Sequence, residues 1–573
     1  MQKKCDLIIT ILHFCIDFFI NIMYNTHCNW KVIFLALHHS VRVPVPTRTY
    51  RKKRDGYTYI YYYTSFFTKD NGKHSNTSVL IGRLDKDDSS KLIPNDHYYE
   101  YFDHSNDAVD LPEIVFEGDY SIGYSIAVNQ IFGDLGLDVI LKNSFGLAAY
   151  DIMTVAAYSI KNGAVMSYID DYTKYHYDIN NLKVLTNQRV SDLFASITYQ
   201  QRMDFFVNWI SKRKANDCFV YDISSISTYS EGIEQAEFGY NRDHDDLKQI
   251  NIGIFSSINS KLPVYYENYN GSLTDKINLI PVLKNAQAVG IEKAHIVMDG
   301  GFFDEKRIKE LNSTGLTFTV GMPSTLDKSK ELLEEHRNEI HLMKNKTSYA
   351  SNYAKMYDAT IYGIDGRVMI GLNTQTQDLM METLKKDIDK REKELQDKKI
   401  KKYSTVIHKK RYTDLFEIIQ EGENGYTYRL KEDEIQEKAN NYGYFLVFTT
   451  DTQASADDIL YYYREKDIDE KMFYQLKNYE ELNRLRTHNQ KTTDGKIFNL
   501  FISLIIRNYM QQKLKSYMNI NHLTLEKCIL KLEDIKMIKI KGQPPRLLKE
   551  LTKQQKELLK ILGVDIYKTL EII

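Results

Sequence analysis

This sequence of 573 residues has few cysteines, few prolines and almost no net charge, and each of these features argues against a class of protein or a type of domain boundary. Five cysteines form neither a CxxC pair nor a disulfide-framework spacing, so a reduced, cytosolic chain is expected. Nine prolines and no Gly/Ser linker leave the domain boundaries unmarked. A net charge of −1 argues against a protein that simply coats nucleic acid, although a local basic channel stays compatible with it.

The first 45 residues differ from the rest in being mostly apolar. A membrane span needs roughly 20 apolar residues, and the run over residues 7–24 is interrupted by His13 and Asp17. Lys3 and Lys4 precede this run as in a signal peptide, but no clean cleavage site follows it. We interpret residues 1–45 as an atypical leader outside the fold and expect no membrane association.

The next two regions differ in their hydrophobic period. Residues 46–117 contain the β-prone run YTYIYYYTSFF, the turn residues Asp70, Asn71 and Gly72, and a second extended run, SVLIGRL, which together predict a β-hairpin. Residues 118–215 show helical spacing, for example in GLAAYDIMTVAAYSI. We predict a helical region there that binds DNA ends.

Residues 216–322 carry the clearest pattern. Buried strands are predicted over residues 218–224, 249–258, 263–269, 294–299 and 316–322, with helices after the third and fourth. The order β-β-β-α-β-α-β predicts an α/β fold with a ribonuclease-H-like mixed sheet.

The remaining chain is divided into three regions. Residues 323–456 do not continue the core pattern and are predicted to form an inserted, largely β subdomain. Residues 457–496 begin with a helix that would complete the core, and residues 497–573 are predicted to be helical. The fold is therefore a core with a β-rich insertion and helical regions on both sides.

Two of the predicted core strands end in aspartates, Asp222 and Asp299. Neighbouring strands of one sheet can bring such carboxylates close together, and their hard oxygens suit Mg²⁺. Two such ions can clamp the attacking and leaving oxygens of a phosphoryl displacement. For either aspartate alone, capping of the following turn explains the residue equally well.

A helix predicted from Asp457 onward carries Tyr463, Lys466, Glu470 and Lys477. At 100° per residue these side chains fall within an arc of about 60°, so one face would combine an acid, two lysines and a phenol. Such a face could bind metal and phosphate. A surface stripe of salt-bridged residues is the alternative.

The spacing Y-x2-K-x3-E-x6-K resembles the Y-x2-R-x3-E-x6-K signature of insertion-sequence DDE transposases, with Lys466 replacing the usual arginine. The segments VYDISSIS, YENYNGSLTD and IVMDGGFFDEKRIKEL also resemble that family. Lysine and arginine are not equivalent at a bidentate phosphate site, which puts the strength of that one contact in question.

The resemblance implies DNA cleavage at element ends and transfer of the freed 3′-OH to target DNA. It implies that Asp222, Asp299 and Glu470 are catalytic and hold two Mg²⁺ ions, for which Mn²⁺ would substitute. It further implies that Tyr463, Lys466 and Lys477 contact DNA. Arg242 lies in a family-like stretch and is a further DNA-binding candidate. The expected partners are terminal inverted repeats, target DNA and a second copy in a homodimer, in the cytoplasm and associated with the nucleoid.

Two other functions remain open from the sequence. One is a catalytically inactive, DNA-binding relative that keeps the fold. The other is a ribonuclease-H-like nuclease that does not take part in transposition, against which the long insertion and the tyrosine–lysine helix argue.

Overall fold

The computed structural model describes residues 41–573, apart from 45–47, 55, 69–71, 73, 86–87, 96, 103–115, 179, 181–182, 213–216, 240–245, 274, 292–293, 398–401, 479–481, 483 and 573. The apolar leader, apart from residues 41–44, and Arg242 thus lie outside the described residues. The chain divides into two compact units, Met1–Phe116 and Glu117–Ile573. No helix among the described residues is long and apolar enough to cross a membrane.

The first unit contains an antiparallel five-stranded sheet. Its strands are β1 (Val41–Arg42), β2 (Thr49–Arg54), β3 (Tyr57–Thr68), β4 (His74–Leu84) and β5 (Lys91–Pro94), in the order β1-β5-β4-β3-β2, followed by the short helix α1 (Tyr98–Tyr101). In the segment where the sequence predicts a hairpin, β3 and β4 pair antiparallel from Thr68 opposite His74. One face of the sheet packs on a small core that includes Ile60, Ile81 and Leu92.

An eight-stranded mixed sheet forms the centre of the second unit. The strands from residue 116 onward are β6 (Phe116–Ser121), β7 (Cys218–Thr228), β8 (Lys248–Ser257), β9 (Pro263–Asn270), β10 (His295–Met298), β11 (Thr317–Met322), β12 (Asn352–Ile361), β13 (Ile364–Asn373), β14 (Phe416–Glu421), β15 (Gly425–Leu430), β16 (Tyr444–Thr449), β17 (Lys536–Ile540) and β18 (Arg546–Leu547). The order in the large sheet is β12-β13-β16-β11-β10-β7-β8-β9.

Helices cover this sheet and form a large lobe beside it. They are α2 (Gly123–Leu135), α3 (Leu137–Phe145), α4 (Ala148–Asn162), α5 (Ile169–Tyr175), α6 (Asn187–Ser196), α7 (Tyr199–Ser211), α8 (Asp275–Ala288), α9 (Glu305–Ser313), α10 (Asp327–Ile340), α11 (Thr374–Gln396), α12 (Tyr403–Val406), α13 (Lys410–Thr413), α14 (Glu432–Ala439), α15 (Ala456–Glu465), α16 (Asp467–Asn478), α17 (Gln490–Asn521), α18 (Leu525–Glu533), α19 (Lys553–Leu562) and α20 (Ile566–Ile572).

The predicted succession of strands and helices over residues 216–322 is present. Strands β7, β8 and β9 pair antiparallel, and β10 and β11 then add in parallel on the other side of β7, each after one helix. Nearly every residue of β7, β8 and β10 is buried, as expected for a sheet covered on both faces, and β7 and β8 include several buried polar side chains among their apolar residues.

The interval 323–456, which the sequence predicts to be an inserted, largely β subdomain, contributes three strands to the central sheet. Strands β12, β13 and β16 extend the central sheet, since β16 pairs antiparallel with both β11 and β13. The residues of β13 and β16 are largely buried, and their pairing covers the backbone edge that β11 would otherwise expose. The part containing the β14–β15 hairpin and α11 to α13 has a small hydrophobic core of its own.

Helix α17 passes through the centre of the helical lobe. Its side chains donate to backbone oxygens of α4 at intervals of one turn: Asn499 to Ile152 at 2.9 Å, and Ser503 and Arg507 to the next two turns. The C-terminal region, predicted to be helical, also contains β17 and β18, which form a three-stranded sheet with β6. Residues from both ends of the second unit therefore share one hydrophobic core.

Candidate active site

Asp222 lies within β7, and Asp299 directly follows the neighbouring strand β10. In the parallel pairing of β7 with β10, Cys218 is beside His295 and Val220 is beside Val297. Continuing this register by two residues places Asp299 beside Asp222. Both side chains lie on one face, because side chains alternate along a strand, and parallel strands are about 4.8 Å apart.

The expectation that Asp222 ends its strand is wrong. Strand β7 continues for six residues to Thr228, paired with β8 as far as Lys248. The residues after the acid include Ile223, Ile226 and Thr228, which favour strands, so Asp222 is half-buried within a ladder rather than at its end. Asp299 does follow its strand directly, at the start of the short 3₁₀ turn Gly300–Phe302.

Helix α15 lies across the face of the sheet that carries the two aspartates. Ser455 caps it reciprocally with Asp458. Tyr461 and Tyr462 then pack on a small cluster in the sheet that includes Val220 and Val297, each two residues before an aspartate. The C-terminal end of α15 therefore points towards Asp222 and Asp299.

The single helix predicted from Asp457 is interrupted at Lys466. Helix α15 ends at Glu465 and α16 begins at Asp467, and the backbone N–H of Asp469 bonds to the Lys466 carbonyl at 3.2 Å, in a tighter turn. The hydrophobic period continues through this break, so the sequence alone does not show it. The calculated common arc therefore applies only within each of the two helices.

Lys466 connects this helix break to the sheet. Its Nζ donates to Oδ1 of Asp299 at 2.7 Å. Partial burial opposes ionisation of Asp299, but Lys466 and the backbone N–H groups of Gly300 and Gly301 hold the pKa of Asp299 below its usual value. Burial likewise opposes protonation of Lys466, yet Asp299, Tyr463 and Glu470 raise its pKa. Both groups are therefore charged at neutral pH.

Tyr463 packs closely against the sheet because the facing residue is a glycine. A Cβ on Gly321 of β11 would lie 2.4 Å from the Tyr463 hydroxyl. The Tyr463 ring also stacks on Phe445 at 6.5 Å, and the Lys466 ammonium lies 4.8 Å from its centroid. Tyr463 and Lys466 line a groove of about 1270 Å³ that also presents Arg337 and Arg464.

The two acids of the first turn of α16 have opposite environments. Glu470 is exposed, whereas Asp469 is fully buried. Burial raises the pKa of Asp469 well above its usual value, and the charge of Asp222 adds to this. Among the described residues, no three acidic, imidazole or thiol groups lie close enough together to hold a metal ion.

The structure thus connects most of the predicted site residues but not all of them. Asp222, Asp299, Lys466 and Tyr463 are brought together, and Glu470 is close enough to act on Lys466. Lys477 lies near the end of α16 and is half-exposed.

Sequence reasoning missed Gly321 and the two glycines after Asp299. The Gly-Gly pair directly after a strand-end acid was a signal that could have indicated the backbone donors. No signal in the sequence indicates the role of Gly321.

Comparison with known proteins gives the family of the chain. No curated protein matches it in sequence. Among solved structures, it is similar to a cryo-EM structure of the piggyBac transposase synaptic complex with hairpin DNA, at 10% identity and a TM-score of 0.33, over 77% of this chain and 76% of that one. The family model described as transposase DDE domain matches residues 213–506, just over half of the chain. The chain therefore belongs to the transposase DDE domain family.

Proposed function

We propose that this protein is a DNA transposase that cleaves phosphodiesters at the ends of an insertion sequence and joins the freed 3′-OH to target DNA. Asp222, Asp299 and Glu470 would be its catalytic acids. The observation that carries the proposal is the parallel register of β7 and β10, which, continued by two residues, would bring Asp299 next to Asp222, together with the ion pair between Lys466 and Asp299. The family match over residues 213–506 supports it.

The core would be ribonuclease-H-like. The order β9-β8-β7-β10-β11, with antiparallel pairing of the first three strands and parallel pairing of the rest, supports this proposal. In such an arrangement the central strand carries the first acid and its parallel neighbour carries the second. Asp222 on β7 and Asp299 after β10 occupy those places.

The donor chemistry of the three acids fits two Mg²⁺ ions, for which Mn²⁺ would substitute. Lys466 already holds a positive charge against Asp299, so at least this carboxylate faces a place suited to a cation. Divalent ions there would activate the attacking oxygen and offset charge on the scissile phosphate. Glu470 follows the helix break directly, and we infer that a small change at Lys466 brings its carboxylate to the aspartates.

The other site residues would position DNA. Lys466 and Tyr463 line the large groove, and an ammonium and a phenol there would contact phosphate oxygens of the strand being cut. Lys477 would contact phosphates further along α16. We assign Arg242 the same role on its sequence alone. The partners would be terminal inverted repeats, target DNA and a second copy of the chain, in the cytoplasm at the nucleoid.

A catalytically inactive DNA-binding relative is the second candidate function. The exposed position of Glu470 and the absence of a three-acid cluster among the described residues favour it. A nuclease acting on RNA–DNA hybrids is distinguished by its substrate.

A pair of acid-to-amide changes on adjacent residues tests the assignment. Glu470→Gln should abolish Mg²⁺-dependent cleavage of DNA carrying the flanking inverted repeats and leave gel-shift affinity nearly unchanged, because it removes a ligand charge only. Asp469→Asn should keep cleavage, because that buried carboxyl has a raised pKa and an amide has the same shape.

Each other outcome has a defined meaning. Cleavage by Glu470→Gln together with loss in Asp469→Asn would move the third catalytic role to Asp469. Wild-type protein that binds these ends and never cuts them would be the inactive relative. Preferential cleavage of RNA–DNA hybrid would indicate the nuclease.

A further inference from the structure

A cavity of about 380 Å³ lies in the second unit outside the candidate active site. It is enclosed by the segment 164–167, the start of α6, the loop 486–489 and the first turns of α17. Its volume is in the range of small-ligand pockets. None of Asp222, Asp299 and Glu470 lines it.

The charged groups that line this cavity are all basic. Arg486, His488 and Lys496 contribute to its wall, and no aspartate or glutamate does. Arg486 and His488 are exposed, whereas Lys496 is only 3% exposed, so the cavity has two basic side chains at its mouth and an ammonium at its floor.

The ammonium at the floor has no anionic partner among the described residues. Lys496 Nζ donates to the backbone oxygen of Leu485 at 2.8 Å, which satisfies one of its three N–H groups with a neutral acceptor. Neither Lys496 nor Arg486 forms an ion pair within the part of the chain that the structure describes. Burial, with the charge of Arg486 adding to it, lowers the pKa of Lys496 to about 8. A bound anion would offset both the burial of the Lys496 charge and its repulsion by Arg486.

Two helices also begin at this cavity. Thr186 caps α6 through the Arg189 N–H, and Asn489 caps α17 through the Thr492 N–H. First-turn residues of both helices line the wall, among them Gln188 and Thr492. The N-terminal ends of helices carry partial positive charge and favour anions. The helix ends therefore add to the positive field of Arg486 and Lys496.

The backbone of the loop is fixed and joined to the strand of the first acid. Arg486 has a φ of 50°, a left-handed conformation that is uncommon for a side chain of this kind. The next residue, Thr487, shares a 2.6 Å hydrogen bond with Thr493 of α17. The Leu485 N–H bonds to Ser227 near the end of β7. Ser227 is five residues beyond Asp222, roughly 16 Å along the strand.

We propose that this cavity binds a phosphate group, held by Lys496 at its floor and by Arg486 at its mouth. Two sources share that chemistry: a backbone phosphate of DNA bound at the candidate active site, and a small phosphate compound. The DNA source rests on the proposed function, and the small-phosphate source does not. An uncompensated buried ammonium, a cavity without acids and two converging helix ends carry the proposal together.

The test uses the full chain with two variants and a matched control. Arg486→Gln and Lys496→Met each remove one cavity cation, and Lys491→Gln removes an exposed lysine from the same first turns of α17 without touching the cavity. Binding of inorganic phosphate is measured by calorimetry. Binding of a 30-base-pair duplex is measured by fluorescence anisotropy across a salt series. Thermal unfolding of each variant shows whether it is folded, and Arg486→Gln, at an exposed site, keeps the test valid if Lys496→Met does not fold.

We expect Arg486→Gln to weaken phosphate binding about tenfold, the equivalent of one charge-assisted hydrogen bond, and Lys491→Gln to leave it unchanged. If DNA is the source, Arg486→Gln also lowers duplex affinity and reduces the salt slope by about one. If the source is a small phosphate, the duplex results match those of wild type while phosphate binding falls.

Phosphate and duplex binding by Arg486→Gln equal to those of Lys491→Gln would overturn the proposal. Failure of the proposed function is a separate result: the wild-type chain would not cleave DNA, while the phosphate measurement still reports on the cavity.

Discussion

Lys466 is the residue where the helix and the sheet of the candidate site meet. It directly follows the last residue of α15, its Nζ donates to Asp299 at 2.7 Å, and its charge lies over the Tyr463 ring. The Y-x2-R-x3-E-x6-K signature that this segment resembles has arginine at this position. If residue 466 exchanges its contact with the Asp299 carboxylate for one with a DNA phosphate, it needs a long, charged and flexible side chain. Both lysine and arginine have such a side chain.

Lys466→Arg should therefore cleave DNA at the wild-type rate or faster, because the guanidinium keeps the charge and adds donors. Lys466→Met should lower both cleavage and duplex affinity by about tenfold or more, through loss of a charged hydrogen bond. Strand cleavage and gel shift measure the two effects. Lys306→Met, at an exposed lysine of α9, is the control. Wild-type behaviour of Lys466→Met would remove this residue from the site.

The burial of His295 leads us to expect a loss of stability in mild acid. It is buried in β10, with its ring nitrogens bonded to the hydroxyls of Thr317 and Thr319. Burial lowers its pKa from 6.5 to about 4, although the charge of Asp451 opposes this. Below pH 6.5 the His295 side chain binds a proton in the unfolded chain but stays neutral in the folded chain. The free energy of unfolding therefore falls as the pH is lowered to about 4.

The loss should reach about 3 kcal/mol, as the shift in pKa implies. His295→Gln cannot be protonated there, so the difference in unfolding free energy between wild type and variant should change between pH 7 and 4 by that amount. Denaturant unfolding at several pH values measures it. A constant difference between the two proteins would show that His295 is not held neutral.

At the scale of elements, α15 lies close to the sheet because Gly321 has no side chain. Gly321→Ala would place a Cβ 2.4 Å from the Tyr463 hydroxyl and 3.1 Å from the Gly300 nitrogen. We expect α15 to shift outward, moving Tyr463 and Lys466 and lowering cleavage by about a hundredfold, since misplacement by an ångström has effects of that size. Overpacking should destabilise the fold by about 1–3 kcal/mol.

Gly133→Ala, in open space on α2, is the matched change and should leave cleavage and stability unaffected or slightly improved. Cleavage assays with thermal unfolding compare the two variants. Full activity in Gly321→Ala would mean that the approach of α15 to the sheet is not needed for catalysis.

Most core elements could be predicted from the sequence because each is a local signal. The runs CFVYDIS and AHIVMD lie in strands β7 and β10, and a helix follows the third core strand as expected. Pairing is not local. Nothing in the sequence of β16 shows that it inserts between β11 and β13, and the interruption of the helix at Lys466 leaves the apolar period intact.

The candidate site follows the same division. The acids could be recognised from their residue types and spacing. The face they share depends on the β7–β10 register, and the phosphate cavity depends on Arg486 and Lys496 meeting from separate segments, which no periodicity predicts.

At the scale of the whole molecule, the C-terminal region is part of the same folded unit as the helices before the core. Glu533, at the end of α18, bonds to Lys161 of α4 at 2.5 Å and to His176 at 3.0 Å. Burial opposes its ionisation, yet these two partners lower the pKa of Glu533. The Ser121 hydroxyl also donates to the Glu533 backbone oxygen at 2.8 Å. One residue thus joins the two ends of the second unit.

Glu533→Gln should lower the free energy of unfolding by about 3 kcal/mol, because it leaves Lys161 and His176 partly buried beside a neutral group. Its pKa is lowered in the folded state, so the contribution of the wild-type residue is present at neutral pH and disappears as pH falls below the unfolded value. The two proteins should therefore converge in stability under acid conditions.

Glu550→Gln, the same chemical change at an exposed residue, should have little effect at any pH. Denaturant unfolding of all three proteins at neutral and acid pH measures this. Equal stability of Glu533→Gln and Glu550→Gln at neutral pH would show that the ion pairs of Glu533 add little to the stability of the unit.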